Sequence, residues 1–366
     1  MHPSALLYAL SLIPGIGNRT LRVLLEHFGS AEAIWEADEK SLLGTNCLRP
    51  KMVSTLIQGR QTIHPDQKWE EVISQGIDIL AFTDTSYPRL LKEIPDAPMI
   101  LFTRGNYVWE EKPLIAIVGS RKFTNYGEQA AYHLATDLAS AGYVVVSGLA
   151  FGIDSIAHKA ALDAHSETLA VLAGGVDDMS IAPQTHLPLA RNVMRSGTLV
   201  SEYRPGTKVQ EGTFPARNRI VAGMCLGTLV IEAPERSGAL ITARLALDDN
   251  REVFAVPGSI FSPLSFGTNN LIKAGAKIVT SVQDILEEFP LPEKSTSSSQ
   301  NILFQKNNTL TQEEEKILSF LSHEPVHVDK IIKATKLETS SVSSSLALLE
   351  IKGSIRNVGG MYYIKL

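Results

Sequence analysis

Three glycine-bearing segments, each placed directly after an apolar run, gather the residues best able to hold an anion. They are Gly119-Ser120-Arg121, Ser147-Gly148-Leu149-Ala150-Phe151-Gly152-Ile153-Asp154 and Ala173-Gly174-Gly175. Glycine lets main-chain N–H groups approach a phosphate closely, and a helix that starts just afterwards turns its positive dipole end toward it. Arg121 adds a guanidinium suited to bidentate phosphate pairing. A single loop of this kind is equally explained by a tight strand-to-helix turn. Three on the carboxyl edge of one sheet fit the rule that open α/β sheets bind ligands there. Neither G-x-x-x-x-G-K-[ST] nor G-x-G-x-x-G follows the first run, so ATP hydrolysis and nicotinamide chemistry are disfavoured and no cofactor is expected.

A second group is Phe214-Pro215-Ala216-Arg217-Asn218-Arg219. From Arg191 to Arg219 six basic residues stand against two acids, a local surplus of +4 in a chain whose formal net charge is −5. A basic groove with an aromatic platform is what sequence-tolerant single-strand binding uses, and Phe214 is the candidate platform. The plain alternative for Phe214 is a core aromatic ahead of a helix. For Arg217 and Arg219 it is a solvated helix start, although positive charge there opposes the helix dipole unless a phosphate lies near.

Signatures of catalysis are poor. No G-x-S-x-G elbow occurs. The run His323-Glu324-Pro325-Val326-His327 matches a zinc-protease motif only in letters, because Pro325 interrupts the helix that would align the histidines, and no metal site is expected. Asp154, Glu202 and Glu232 are read as helix caps or partners of nearby arginines, since no second reactive group accompanies them at a diagnostic spacing.

These residues need a frame, and the apolar pattern supplies one. Leu114–Val118, Tyr143–Val146, Thr168–Leu172, Leu229–Ile231 and Val253–Val256 are short Val/Ile/Leu-rich runs separated by amphipathic stretches. That alternation predicts a Rossmann-like doubly wound parallel sheet covered on both faces. Ile77–Phe82 and Met99–Phe102 read as lead-in strands, giving a core of residues 77–289. Residues 1–70 carry helical leucine spacing, and Ile13-Pro14-Gly15-Ile16-Gly17 resembles a helix-hairpin-helix turn, here a SAM-like or helix-hairpin-helix-like domain. Residues 290–310 are Ser-, Asn- and Gln-rich and read as a linker. Residues 311–366 open with a capping box at Thr311 and Glu314, and their three helices and hairpin describe a winged helix. Its third helix, Thr339 to Ile351, carries no Lys or Arg, which points away from reading duplex DNA.

No run approaches the roughly 18–20 apolar residues of a membrane span, residues 1–12 lack a basic signal-peptide start, and only Cys47 and Cys225 are present. The expectation is a cytoplasmic protein without disulfides or membrane contact.

The five strings around Gly119, Gly148, Phe214, Glu232 to Ala243, and Arg251 to Gly258, continuing to Gly267, Asn270 and Gly275, resemble the DNA-processing protein A (DprA/Smf) family in order and spacing. The likeness spans residues 114–280. It implies a dimeric, extended Rossmann-like protein without enzymatic activity. Such a protein binds single-stranded DNA, protects incoming strands in natural transformation and helps load a RecA-type recombinase. It implies contacts to DNA from Gly119, Ser120 and Arg121 and from Phe214, Arg217, Asn218 and Arg219, to which the reading of the glycine loops adds Ser147, Gly148 and Gly152. One loop departs from the family: Gly174 to His186 lacks the expected Tyr and Asn and displaces the Pro, so no strand contacts are carried over to it. The competing class is a nucleotide phosphoribohydrolase on a related scaffold, with Glu232 near the site. Of that enzyme's signature only Gly227-Thr228 and Glu232 are present.

Overall fold

The computed structural model describes residues 4–45, 47–106, 112–290, 311–322, 324–351 and 354–365. Two compact units result, Met1–Leu291 and Pro292–Leu366. Apart from Pro290, the linker expected at 290–310 lies outside the described residues.

The first unit is built on nine strands: Asp78–Ala81 (β1), Ile100–Gly105 (β2), Leu114–Val118 (β3), Val144–Ser147 (β4), Thr168–Val171 (β5), Thr198–Ser201 (β6), Gly227–Val230 (β7), Glu252–Ala255 (β8) and Lys277–Ile278 (β9). Their order is β1-β2-β6-β5-β4-β3-β7-β8-β9. The run from β6 to β9 is parallel, while β1 and β2 add an antiparallel edge through β6. The chain leaves β3 toward β4 and returns to its other side at β7, so the sheet has a switch point at β3/β7, where open α/β sheets bind ligands.

The period of two along a strand explains why β3 reads as a continuous apolar run. Leu114, Ala116 and Val118 enter a core with the helices Thr213–Met224 and Gly238–Asp248. Ile115 and Ile117 enter a second core with the helices Asn125–Ser140 and Ile153–Asp163. Both faces are therefore apolar. The sequence reading missed β6, whose apolar content is only Leu199 and Val200, and the two-residue edge strand β9.

Six helices lie between Ala5 and Ile73. They do not close a core of their own: Leu7, Leu10, Leu24 and Leu56 belong to the same cluster as Phe102, Ala170 and Leu199 of the sheet. The break expected near residue 70 is therefore not a break in packing.

The second unit has helices Gln312–Phe320, Val328–Thr335 and Thr339–Ile351, with strands Val326–His327 (β10), Ile355–Gly359 (β11) and Tyr362–Lys365 (β12) ordered β10-β12-β11. This is a winged helix. Its capping box is formed: Glu314 N donates to Thr311 Oγ1 at 3.2 Å and Thr311 N to Glu314 Oε2 at 2.7 Å. His323 lies outside the described residues, and His327 ends a strand and caps the next helix rather than sharing a helix face with it. No helix among the described residues is long and apolar enough to cross a membrane.

Candidate nucleic-acid interface

The loops after β3 and β4 are stitched into one cradle. Ser120 N donates to the Glu232 carbonyl at 2.8 Å, tying the β3 loop to β7, and Ile153 N donates to the Ser120 carbonyl at 3.3 Å, tying it to the β4 loop. The contact tolerates no side chain at two points. A Cβ on Gly119 would meet the Ile153 side chain at 2.6 Å, and one on Gly152 would collide with the Ser120 carbonyl and stand 2.7 Å from Arg121 Cα. Gly152 also has φ +82° and ψ −132°, a conformation open in practice to glycine alone. Ser120's hydroxyl bonds within the turn, to the carbonyl and N–H of Lys122. Ser147 Oγ donates to the Ile117 carbonyl at 2.7 Å. Among the described residues the main-chain N–H groups of Arg121, Phe151 and Gly152 have no acceptor, which leaves donors on the rim for an anion.

Arg121 is exposed and has no carboxylate partner among the described residues. Its guanidinium carbon lies 4.9 Å from the centre of the Phe214 ring, so residues 93 positions apart form one cation–π pair at the switch point. Phe214 is half-buried at the start of the helix Thr213–Met224.

Arg217 has a different place from the one expected. It is buried, donating through Nη1 to the Gly148 carbonyl at 2.6 Å and to the Val171 carbonyl, and through Nε to Asn218 Oδ1 at 3.2 Å. Asp154 is its countercharge. That carboxylate accepts from Gly148 N at 3.1 Å and Ala150 N at 3.4 Å, fixing the loop on which Phe151 and Gly152 sit. Burial pushes Asp154 above the usual carboxylate range, with Arg217 and the two N–H groups pulling it back. Burial likewise pulls Arg217 down, and Asp154 holds it up. Gly148 has both main-chain groups engaged in this network.

Arg219 is engaged by a carboxylate. Its Nη2 pairs with both oxygens of Glu202 at 2.6 Å, and Asn18 Nδ2 reaches the same carboxylate. Asn218 Nδ2 donates to the Gly238 carbonyl at 3.4 Å. The +4 segment does not fold into one patch either: Arg191 pairs with Asp178, and Arg204 donates to the Ser11 carbonyl. The third glycine loop is bonded instead to the segment after β6, with Gly175 N donating to the Thr207 carbonyl at 2.9 Å and the Gly174 carbonyl accepting from Ser201 Oγ at 2.6 Å. Glu232 is buried and engaged through both oxygens by Thr124, from N at 2.9 Å and Oγ1 at 2.6 Å, while Thr124 Oγ1 caps Gly127 N. This is a helix-capping carboxylate, as expected of it.

His158 lies beneath the cradle, fully buried. Thr168 Oγ1 spends its proton on the Val145 carbonyl, so His158 Nδ1 donates to that hydroxyl at 2.7 Å and Nε2 is left bare without a partner. Burial, reinforced by Arg217 and His186, lowers its pKa from 6.5 to about 3. A base with a depressed folded value binds fewer protons folded than unfolded, so its stability contribution is complete above pH 6.5 and is lost as pH falls toward 3. Between pH 7 and 4.5 this group alone removes about 2–3 kcal/mol. Urea midpoints at the two pH values are expected to converge in His158→Asn relative to wild type. An equal pH slope in both proteins refutes the assignment.

Two features of the site escaped the sequence reading. Thr124, two residues before Tyr126 and three before Gly127, was legible as an N-cap. The contact of Phe151 with His186, ring centres 4.9 Å apart, joins residues whose separation gives no local signal.

A doubly wound, mostly parallel sheet that carries at its switch point, among the described residues, an arginine without a carboxylate partner and main-chain N–H groups without acceptors defines a Rossmann-type protein. Residues 78–290 match the family described as DNA recombination-mediator protein A, and residues 305–361 the DprA winged helix domain. The chain is similar to Protein Smf of Synechocystis sp., 34% identical over 97% of both chains. It resembles the crystal structure of DNA processing protein A from Streptococcus pneumoniae, with TM-score 0.70 and 35% identity over 80% of this chain and 100% of that one. DNA processing protein A of Helicobacter pylori, described for its single-stranded DNA binding mode, matches with TM-score 0.52 and 29% identity, covering 58% and 94%. The chain belongs to the DprA/Smf family of DNA-processing proteins.

Proposed function

We propose that this protein binds single-stranded DNA across the carboxyl edge of its sheet, without catalysing a reaction on it. The observation that carries this reading is the Arg121–Phe214 pair beside unpartnered main-chain donors: a cation, a set of N–H groups and a π-face within one cradle. Phosphate pairing and base stacking together are what sequence-tolerant strand binding requires. The likeness to the Helicobacter pylori protein supports the same ligand. Gly119, Ser120, Ser147, Gly148, Gly152, Arg217 and Asn218 serve by shaping the cradle, with Arg217 adding positive potential from beneath. The engagement of both Glu232 oxygens by Thr124 counts against the phosphoribohydrolase alternative. Protection of incoming strands in the cytoplasm and loading of a RecA-type recombinase complete the reading, on the strength of family membership. So does a homodimer, for which the exposed Ile278 on the open edge strand β9 gives a surface.

Fluorescence anisotropy of labelled oligo-dT over a salt series tests the cradle. Arg121→Ala is expected to weaken binding roughly ten- to a hundredfold, as loss of a charge-assisted phosphate contact does. It should also reduce the log–log salt slope by about 0.7, one phosphate on a single strand. The thermal midpoint should not move, because Arg121 is exposed. Wild-type binding that ignores salt contradicts the proposal.

A further inference from the structure

A lone exposed aromatic is ordinary on a protein surface. Phe151 is not of that kind, for three reasons of geometry. It is 51% exposed although Leu149, two positions before it, is fully enclosed, Ala150 is half-buried and Gly152 is buried against Arg121. The backbone that carries it is fixed, since Asp154 accepts from Gly148 N and Ala150 N, Leu149 sits at φ +56°, and Gly152 holds its glycine-only conformation. The ring is braced edge to face by His186 at 4.9 Å and 69°. His186 is itself anchored through Nδ1 to the Leu149 carbonyl at 2.9 Å. The arrangement holds a phenyl ring still in water and keeps part of its surface uncovered, next to the residue whose Cα approaches Arg121.

We infer that Phe151, braced by His186, is a base-stacking platform for an unpaired nucleobase, separate from the Arg121–Phe214 pair on the other flank of the β3 loop. The inference rests on the single-strand reading above and assigns that ligand a second base contact. A phosphate held by the rim donors of Arg121 and Gly152 places its own base within reach of residue 151, because these groups are adjacent in the chain and across the Gly152–Arg121 contact. Stacking needs no hydrogen-bond code, so the platform serves any sequence. His186 acts as a positioning residue: it fixes the ring and need not touch the strand.

The test compares oligo-dT with an abasic strand of equal length, built from tetrahydrofuran spacers, by anisotropy on the full-length protein. Phe151→Ala is expected to weaken oligo-dT binding roughly five- to 150-fold, the range that loss of one stacked base gives. Its affinity for the abasic strand and its salt slope should equal those of wild type, unlike Arg121→Ala. Phe151→Trp should keep the affinity, and Phe151→Leu, which retains the apolar bulk without the π-face, should behave like Phe151→Ala. Equal loss on both strands, or full affinity in Phe151→Leu, overturns the inference. Wild-type binding that Arg121→Ala weakens and Phe151→Ala leaves intact overturns it while leaving the single-strand reading in place. Absence of wild-type binding removes both.

Discussion

Gly152→Ala is expected to abolish the proposed single-strand binding at concentrations that saturate the wild type, while the protein stays folded. The added Cβ runs into the Ser120 carbonyl and stands 2.7 Å from Arg121 Cα, and these are backbone atoms that no rotamer change can clear. The glycine-only φ and ψ add a conformational penalty of about 1–3 kcal/mol for any other residue. Relief comes only if the β3 and β4 loops separate. Separation breaks the Ile153 N to Ser120 carbonyl bond and moves the Arg121 and Gly152 N–H groups off a common target. The total, on the order of 3 kcal/mol or more, is smaller than the 5–15 kcal/mol that ordinary domains hold. Chemical unfolding should therefore show a lower midpoint with an intact cooperative transition, and anisotropy should show a loss of binding much larger than that of Arg121→Ala. Wild-type affinity in Gly152→Ala would mean that the two loops do not act as one cradle.

The glycines of that cradle were legible because they follow apolar runs that cannot be anything but strands. Leu114–Val118 and Val144–Ser147 send apolar side chains into the cores on both faces, and the turn after each is fixed in place by the sheet. What the sequence hid is where charges go. Counting Arg191 to Arg219 as one basic segment omits Asp178, thirteen residues before Arg191, which pairs with it. It also treats Glu202 as diluting the patch evenly, whereas it binds Arg219 outright. Linear counting adds residues that the fold disperses. Arg217 could have been placed by spacing. Ile220, Val221 and Met224 follow it at three, four and seven positions, so on a helix it falls within the apolar stripe. A cation there must be met by buried acceptors, and the Gly148 and Val171 carbonyls meet it, with Asp154 as the nearby countercharge. The helices of the first 73 residues were legible as helices but not as part of the sheet's core, because leucine spacing is the same whether the partner is a helix or a strand. Phe151 and His186 meet only after β5 and its helix have folded back, and no window of sequence contains both.

Arg217→Ala is expected to act on folding first and on DNA only as a consequence. The guanidinium is buried, acts as the countercharge that lowers the Asp154 pKa, and satisfies the Gly148 and Val171 carbonyls at the end of β4 and on β5. Truncation leaves a buried carboxylate without countercharge and two acceptors unmet, and breaking a buried pair from one side costs about 3–5 kcal/mol. Arg217→Lys should recover little, since one ammonium cannot reproduce a planar fork directed at several fixed oxygens. Because Asp154 then relieves its burial by taking up a proton, the deficit should shrink on acidification. Burial already holds its folded-state pKa above the usual carboxylate value, and removal of Arg217 raises it further. The measurement is a pair of urea titrations at neutral and mildly acidic pH on Arg217→Ala and on the double variant Arg217→Ala/Asp154→Asn. The double variant should be the more stable of the two at neutral pH and should lack the pH-dependent recovery. An unchanged midpoint in Arg217→Ala together with lost oligo-dT binding would return Arg217 to the strand-contacting role that its sequence motif implies and would place its guanidinium at the surface of the cradle.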